Sequence, residues 1–82
     1  MDADEIKEII RTLIDNESND ETIYETLVKY KELGLSQDAM YAIFDSLREE
    51  MRNKGEEAKD DKLMEFMDLV TGFCNPKLKI YD

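Results

Sequence analysis

Apolar residues recur along the chain at spacings of three and four, the period of amphipathic α-helices. The pattern divides into four segments, which we predict as helices over residues 4–15, 20–33, 36–54 and 60–71. Each helix has one apolar side that a shared core can bury. The sequence therefore predicts an all-α fold, a compact four-helix bundle-like single domain. The predicted core residues are Ile6, Ile9, Ile10, Leu13 and Ile14; Ile23, Tyr24, Leu27, Val28 and Tyr30; Met40, Ile43, Phe44, Leu47 and Met51; and Leu63, Phe66, Met67 and Val70, followed by Phe73 or Cys74.

Capping residues and glycines set the predicted helix ends. Asp20 and Ser36 are predicted N-caps, because their side-chain oxygens can accept hydrogen bonds from free N–H groups of the first turn. The charged segment 56–61 is predicted to connect the third and fourth helices. The predicted stop signals are the left-handed glycines Gly34 and Gly55, and Gly72 with the Asn75-Pro76 pair.

Residues 75–82 follow the last helix, and from Lys77 to Asp82 the side chains alternate between polar and apolar. This pattern predicts a short extended C-terminal tail. Two interpretations remain open: Leu78 and Ile80 cover an open end of the core, or the tail adds a strand to a partner.

The charge of the chain narrows the classes of partner. It has 21 acidic and 11 basic residues, a net charge of −10. Nucleic acids and anionic membrane surfaces both attract clustered Lys and Arg, so neither is an expected partner. Residues 1–41 hold 11 acidic and 4 basic residues, and this asymmetry can steer a basic protein onto one side of the domain. Solubility alone is the simpler explanation of the same charge.

The expected location is the cytoplasm. A single cysteine, Cys74, cannot form an internal disulfide, which fits a reducing compartment. We interpret Cys74 as a buried structural thiol. No apolar run is long enough to span a membrane, and the N-terminal residues lack the basic start and apolar core of a signal peptide.

Paired carboxylates are too common along the chain to indicate a catalytic site, and we predict neither an enzyme nor a bound cofactor. The chain has no histidine, the commonest general base and metal ligand. Residues 15–20 present oxygen ligands between two helices, as a calcium loop would. An EF-hand loop starting at Asp15 requires glycine at its sixth position and glutamate at its twelfth, which here are Asp20 and Thr26. No metal site is therefore predicted.

A short segment, residues 33–36, resembles the phosphopantetheine attachment region of acyl carrier proteins, which are also small acidic helical domains. That family's motif is Asp-Ser-Leu at the start of its second helix. Here Ser36 follows Leu35 and precedes Gln37, and the Asp-Ser-Leu triplet at residues 45–47 lies inside a predicted helix. An acyl-carrier-like role is a minor alternative, and capping explains Ser36.

The N-terminal half resembles that of the bacteriocin immunity proteins, over residues 4–10, 16–18 and 20–23. The resemblance rests on helix pattern and charge and ends at the second helix, since the family's paired-tyrosine motif has no counterpart. It implies a small acidic bacterial helical protein that neutralises a basic nuclease toxin through acidic and tyrosine side chains. Our leading hypothesis is accordingly an immunity protein or toxin inhibitor that covers the active or substrate-binding surface of a basic toxin domain.

The residues expected to contact such a partner lie at the turn between the first two helices and along the second. They are Glu17, Asp20, Glu21, Tyr24 and Glu25. Capping and solvation are the alternative explanation for Glu17, Asp20 and Glu21, and core packing is the alternative for Tyr24.

Tyr41 and Asp45, one turn apart on the third helix, form a second candidate contact ridge. The alternative is an ordinary boundary between core and solvent.

A protein–protein adaptor or regulatory subunit is the second functional hypothesis, with a homodimer as one form of it. Four methionines could form an adaptable binding surface in that case. Filling gaps in the core is the simpler role for these residues, which are Met40, Met51, Met64 and Met67.

Overall fold

Residues 2–72 and 80–81 are described by the structure, a computed structural model of the chain. They form four helices, α1 (Ala3–Asp15), α2 (Asp20–Glu32), α3 (Gln37–Asn53) and α4 (Glu57–Thr71). The described part of the chain contains no strand, and the all-α prediction is confirmed. None of its helices has the length and apolar character needed to cross a membrane.

Helix α3 supplies the centre of the core. It packs along α4 and against α1, and α1 also contacts α4. Every core residue predicted for α3 is buried, and so are the four predicted within α4. These side chains form one cluster with the buried residues of α1 and α2. The periodicity of the third and fourth segments therefore identified the central half of the core.

Helix α1 buries a narrower stripe than predicted. Ile6, Ile10 and Ile14 are buried, whereas Leu13 is only partly buried. Ile9 is 38% exposed, so its predicted place in the core is wrong. The reason is the geometry of the helix. Ile6, Ile10 and Ile14 are four residues apart and lie along one side, whereas Ile9 is turned about 100° away from Ile10.

Helix α2 contributes the fewest buried side chains. Only Ile23 and Leu27 are fully buried, while Tyr24, Val28 and Tyr30 pack partly against the core. Burial raises the pKa of Tyr30 above its usual value, with the nearby Glu5 as a smaller cause. The outer sides of these larger residues are thus available at the surface of α2.

The N-cap of α2 is Asn19 and not Asp20, which corrects the prediction. The Asn19 side chain accepts a hydrogen bond of 2.8 Å from the backbone N–H of Thr22. Asp20 lies instead in the first turn, where its charge is favourable beside the positive end of the helix dipole. The predicted cap Ser36 is confirmed, since its Oγ accepts from the N–H of Ala39 at 3.2 Å.

Helix α2 ends in a Schellman motif at the predicted left-handed glycine, Gly34. Gly34 has a φ of +104°, and its N–H donates to the carbonyl of Lys31 at 3.0 Å. The N–H of Leu35 donates to the carbonyl of Tyr30, also at 3.0 Å, and Leu35 packs against the core. Gly55 ends α3 in the same way, with a φ of +73°.

Helix α4 begins at Glu57, three residues before the predicted start at Asp60. The predicted charged connection 56–61 is therefore mostly helical. Asp60 is only 9% exposed, because it faces α3 and accepts a hydrogen bond of 2.8 Å from Nε of Arg48. That tertiary partner, which local sequence does not reveal, explains why a charged residue here is part of a packed helix.

The end of the chain packs against the helices, as one of the two interpretations of the tail predicted. Ile80 is 2% exposed, and its N–H donates to the carbonyl of Leu69 at 3.1 Å. The Tyr81 hydroxyl donates to the carbonyl of Leu35 at 2.7 Å, and the Lys31 ammonium lies 5.9 Å from the Tyr81 ring centre. Predictions that lie outside the described residues are those for Phe73, Cys74, Asn75-Pro76 and Leu78.

An ion cluster fixes α1 against α3. Both carboxylate oxygens of Glu50 accept from Nη2 of Arg11, at 2.7 and 2.8 Å, and Nζ of Lys7 lies 3.0 Å from one of them. These hydrogen bonds lower the pKa of Glu50, and the one from Arg11 has the largest effect. Because the folded-state pKa lies below the unfolded one, the stabilisation is present at neutral pH and is lost as the pH falls through the folded-state pKa.

Candidate partner-binding site

The turn between α1 and α2 holds Glu17 in an unusual backbone conformation. Its φ is +54°, and it occupies the left-handed position that glycine takes at the ends of α2 and α3. The N–H of Glu17 donates to the carbonyl of Ile14, and the N–H of Ser18 to that of Leu13, at 3.1 and 3.0 Å. The turn is therefore a complete Schellman motif with a strained residue at its centre, and it projects an exposed carboxylate beside α2.

Replacing Glu17 with glycine is expected to stabilise the protein by about 0.5–1 kcal/mol, because a left-handed conformation costs an ordinary L-residue roughly 1–2 kcal/mol. Urea denaturation of both proteins measures the difference. Glu17→Ala is the control, since it removes the same carboxylate and keeps the Cβ atom. An equal gain from Glu17→Ala would show that charge, and not backbone strain, is responsible.

Helix α2 carries the remaining residues of the predicted patch. Asp20, Glu21 and Glu25 are exposed, and Tyr24 is partly buried against the core. Asp20 is therefore solvated without being the N-cap, and the core packing given as the alternative for Tyr24 is present in part. The Asp20 carboxylate instead forms an ion pair with Nζ of Lys62 on α4.

Two lysines of α4 belong to this surface and were not predicted. Lys59 Nζ lies 2.9 Å from Asp15 Oδ1 and 3.1 Å from Glu56 Oε1. These hydrogen bonds raise the pKa of Lys59, and the one to Asp15 has the largest effect. The hydrogen bond to Asp20 raises the pKa of Lys62 in the same way. The sequence signal for the two lysines is their spacing of three residues. That spacing places them on one side of a helix only if the helix begins before Lys59, as α4 does at Glu57.

A first cleft, of about 590 Å³, opens between the α1–α2 turn and the beginning of α4. We call it the lysine cleft. Apolar side chains of α1, α2 and α4 line it together with charged groups of both signs. The lining includes Ile14, Glu17, Asp20, Ile23, Lys59 and Lys62.

A second cleft, of about 310 Å³, lies between α2 and α4. We call it the tyrosine cleft. Its surface is mostly apolar, three of its lining residues are acidic, and it is lined by Asp20, Glu21, Tyr24, Glu65, Phe66 and Leu69. Asp20 lines both clefts, so the two form one continuous stretch of surface.

The structure thus brings together part of the predicted patch. Glu17 and Asp20 line the lysine cleft, and Asp20, Glu21 and Tyr24 line the tyrosine cleft. Glu25 is exposed on the same helix and lines neither cleft.

The second predicted ridge, on α3, is also exposed: Tyr41 is 45% exposed and Asp45 is exposed one turn later. Neither residue lines either cleft. The contact roles of all seven predicted residues stay predictions.

The methionine surface of the adaptor hypothesis does not form. Met40, Met51 and Met67 are buried in the core, and only Met64 is exposed among the four. Their positions confirm the gap-filling role and correct the surface role, because each of the three buried methionines lies on the apolar stripe of its helix.

Acidic side chains are abundant on the surface, but their geometry is dispersed. In the part of the chain that the structure describes, no three His, Cys, Asp or Glu side chains are grouped closely enough to hold a metal ion.

Comparison of the chain with models of protein families, with curated proteins and with solved structures finds no match.

Proposed function

We propose that this chain is a cytoplasmic immunity protein, an acidic protein-binding domain that inhibits a basic toxin domain of nuclease type. It would do so by covering the toxin's active or substrate-binding surface. The observation that carries the proposal is the tyrosine cleft, a mostly apolar surface that includes Tyr24 and to which three acidic residues, Asp20, Glu21 and Glu65, contribute. A partner surface that complements it must be basic and must offer apolar contact.

The charge distribution supports fast association with such a partner. A net charge of −10 and the carboxylates along α2 would attract a basic surface before contact. Steering of this kind raises association rates to about 10⁸–10⁹ M⁻¹s⁻¹ at low salt. Carboxylates placed where a nuclease binds phosphates would then exclude its substrate.

Tyr24 supports tight binding after encounter. Interface energy is concentrated in a few aromatic and arginine side chains that become desolvated on binding. Tyr24 is partly buried and held against the core, so its ring loses little conformational freedom when a partner covers it.

The test begins with affinity capture of the tagged protein from a lysate of its native host, at low and moderate salt, followed by mass spectrometry. A captured basic protein is then purified, and its nuclease activity is assayed with and without this chain. We expect stoichiometric inhibition that weakens as the salt concentration rises. A neutral or acidic partner whose capture does not depend on the salt concentration would contradict the proposal and support the adaptor hypothesis.

Charge reversal of α2 makes this test specific to the site. Glu21→Lys/Glu25→Lys is expected to weaken binding of the basic partner about 10- to 100-fold at low salt, measured by calorimetry. The matched control is Glu32→Lys/Glu49→Lys, which changes the net charge equally at exposed positions that line neither cleft. Equal weakening by both variants would assign the effect to overall charge and would reject the part of α2 that carries Glu21 and Glu25 as the contact surface.

A further inference from the structure

The tyrosine cleft has a floor suited to a long side chain. Phe66 is buried in the core beneath it, and Tyr24 and Leu69 are partly buried at its sides. Its volume of about 310 Å³ is at the small end of the ~300–1,000 Å³ typical of ligand clefts. The space therefore favours one inserted side chain over a folded element of the partner.

The charges around this floor favour a cation. Three of the residues that line the cleft are acidic, Asp20, Glu21 and Glu65. Lys62 pairs with Asp20 and lies 4.0 Å from the Glu65 carboxylate, at the limit of an ion pair. Glu21 has no ion-pair partner within residues 2–72 and 80–81. One lysine therefore leaves an excess of negative charge at the cleft.

We infer that the tyrosine cleft binds an arginine side chain of the partner protein. The methylene stem would lie against Leu69 and Phe66, and the guanidinium would reach the Glu21 and Glu65 carboxylates. A planar guanidinium can stack on the Tyr24 ring and donate two parallel hydrogen bonds to a carboxylate. A lysine ammonium does neither of these in the same geometry, so the cleft discriminates between the two cations.

This inference rests on the proposed function and makes it more specific. It assigns the partner a protruding arginine near the centre of its contact surface, inserted between α2 and α4. Arginine is enriched among the residues that dominate interface energies.

The test uses nuclear magnetic resonance of the full chain titrated with N-acetyl-arginine-methylamide. Saturable chemical-shift changes are expected at Tyr24, Phe66 and Leu69, at ligand concentrations up to about 50 mM. The same titration with the lysine and citrulline derivatives should give binding weaker by about fivefold or more, because lysine cannot stack and citrulline has no charge. Shifts that are absent, map elsewhere, or are equally strong with lysine or citrulline would overturn the inference.

Variants of the carboxylates provide the second measurement. Glu21→Gln/Glu65→Gln keeps the size of both side chains and should weaken arginine binding about 5- to 20-fold. Glu32→Gln/Glu49→Gln removes the same charge from exposed positions that line neither cleft, and should change binding less than about twofold. Equal effects of the two pairs would reject specific recognition by Glu21 and Glu65.

These outcomes separate the inference from the proposed function. Arginine binding in the cleft without any basic partner in the capture experiment would reject the function and retain the cleft. Capture of an inhibited basic nuclease whose affinity is unchanged by Glu21→Gln/Glu65→Gln would retain the function and reject the arginine site.

Discussion

Replacing Phe44 with alanine should cost about 3–5 kcal/mol of folding free energy, because it removes a ring from the centre of the core and leaves a cavity. Phe44 is 0% exposed and lies on α3, the helix that packs against both α1 and α4. Domains of this size have a total stability of roughly 4–12 kcal/mol, so the loss is a large share of it. Urea denaturation followed by circular dichroism measures the change.

Tyr41→Ala is the control for Phe44→Ala, since Tyr41 lies one turn earlier on the same helix and is exposed. Its loss should be below about 1 kcal/mol. A loss below about 1.5 kcal/mol for Phe44→Ala would mean that the core is not organised around α3.

The ion pair between α3 and α4 carries the second large effect. Asp60 is nearly buried, accepts from Arg48 Nε at 2.8 Å, and lies in the first turn of α4, where a negative charge is favourable. Removing it in Asp60→Ala leaves the Arg48 guanidinium without its carboxylate in a half-buried position, with Nη1 beside the sulfur of Met67. The expected loss is about 2–4 kcal/mol, somewhat below that of a fully buried pair.

Two further variants identify the cause of that loss. Asp60→Asn keeps an oxygen that can accept from Arg48 and should lose less than Asp60→Ala. Arg48→Met/Asp60→Leu removes both charges and should recover much of the stability lost in Asp60→Ala, because no unpaired charge remains. All four proteins are compared by urea denaturation. A double variant as unstable as Asp60→Ala would show that lost packing or capping, and not an unpaired charge, causes the effect.

These two predictions bear on binding as well. Helix α4 forms one wall of both clefts, and its position depends on its packing with α3 and on the Arg48–Asp60 pair. A variant that loosens α4 should therefore weaken partner binding without altering any residue of the cleft surface. Stability and binding are best measured on the same variants.

The sequence by itself determined the features that depend on local periodicity and turn chemistry. The spacing of Met40, Phe44, Leu47 and Met51 places them on one side of a helix wherever that helix packs. Gly34 and Ser36 act through backbone groups only a few residues away, so their roles follow from the local chain. The exposure of Asp20, Glu21 and Glu25 follows in the same way, since carboxylates on the polar side of an amphipathic helix stay in solvent.

Only the tertiary structure decided which of these residues share a site, because that depends on contacts between distant segments. The pairing of Lys62 with Asp20 and the closure of the tyrosine cleft by Phe66 and Leu69 require α4 to lie beside α2. The burial of Asp60 depends on a partner in α3, since Arg48 donates to its carboxylate and the residue appears in the sequence as one more charge in a polar run. The exposure of Ile9 depends on how narrow a stripe of α1 the other helices cover, and periodicity alone does not set that width.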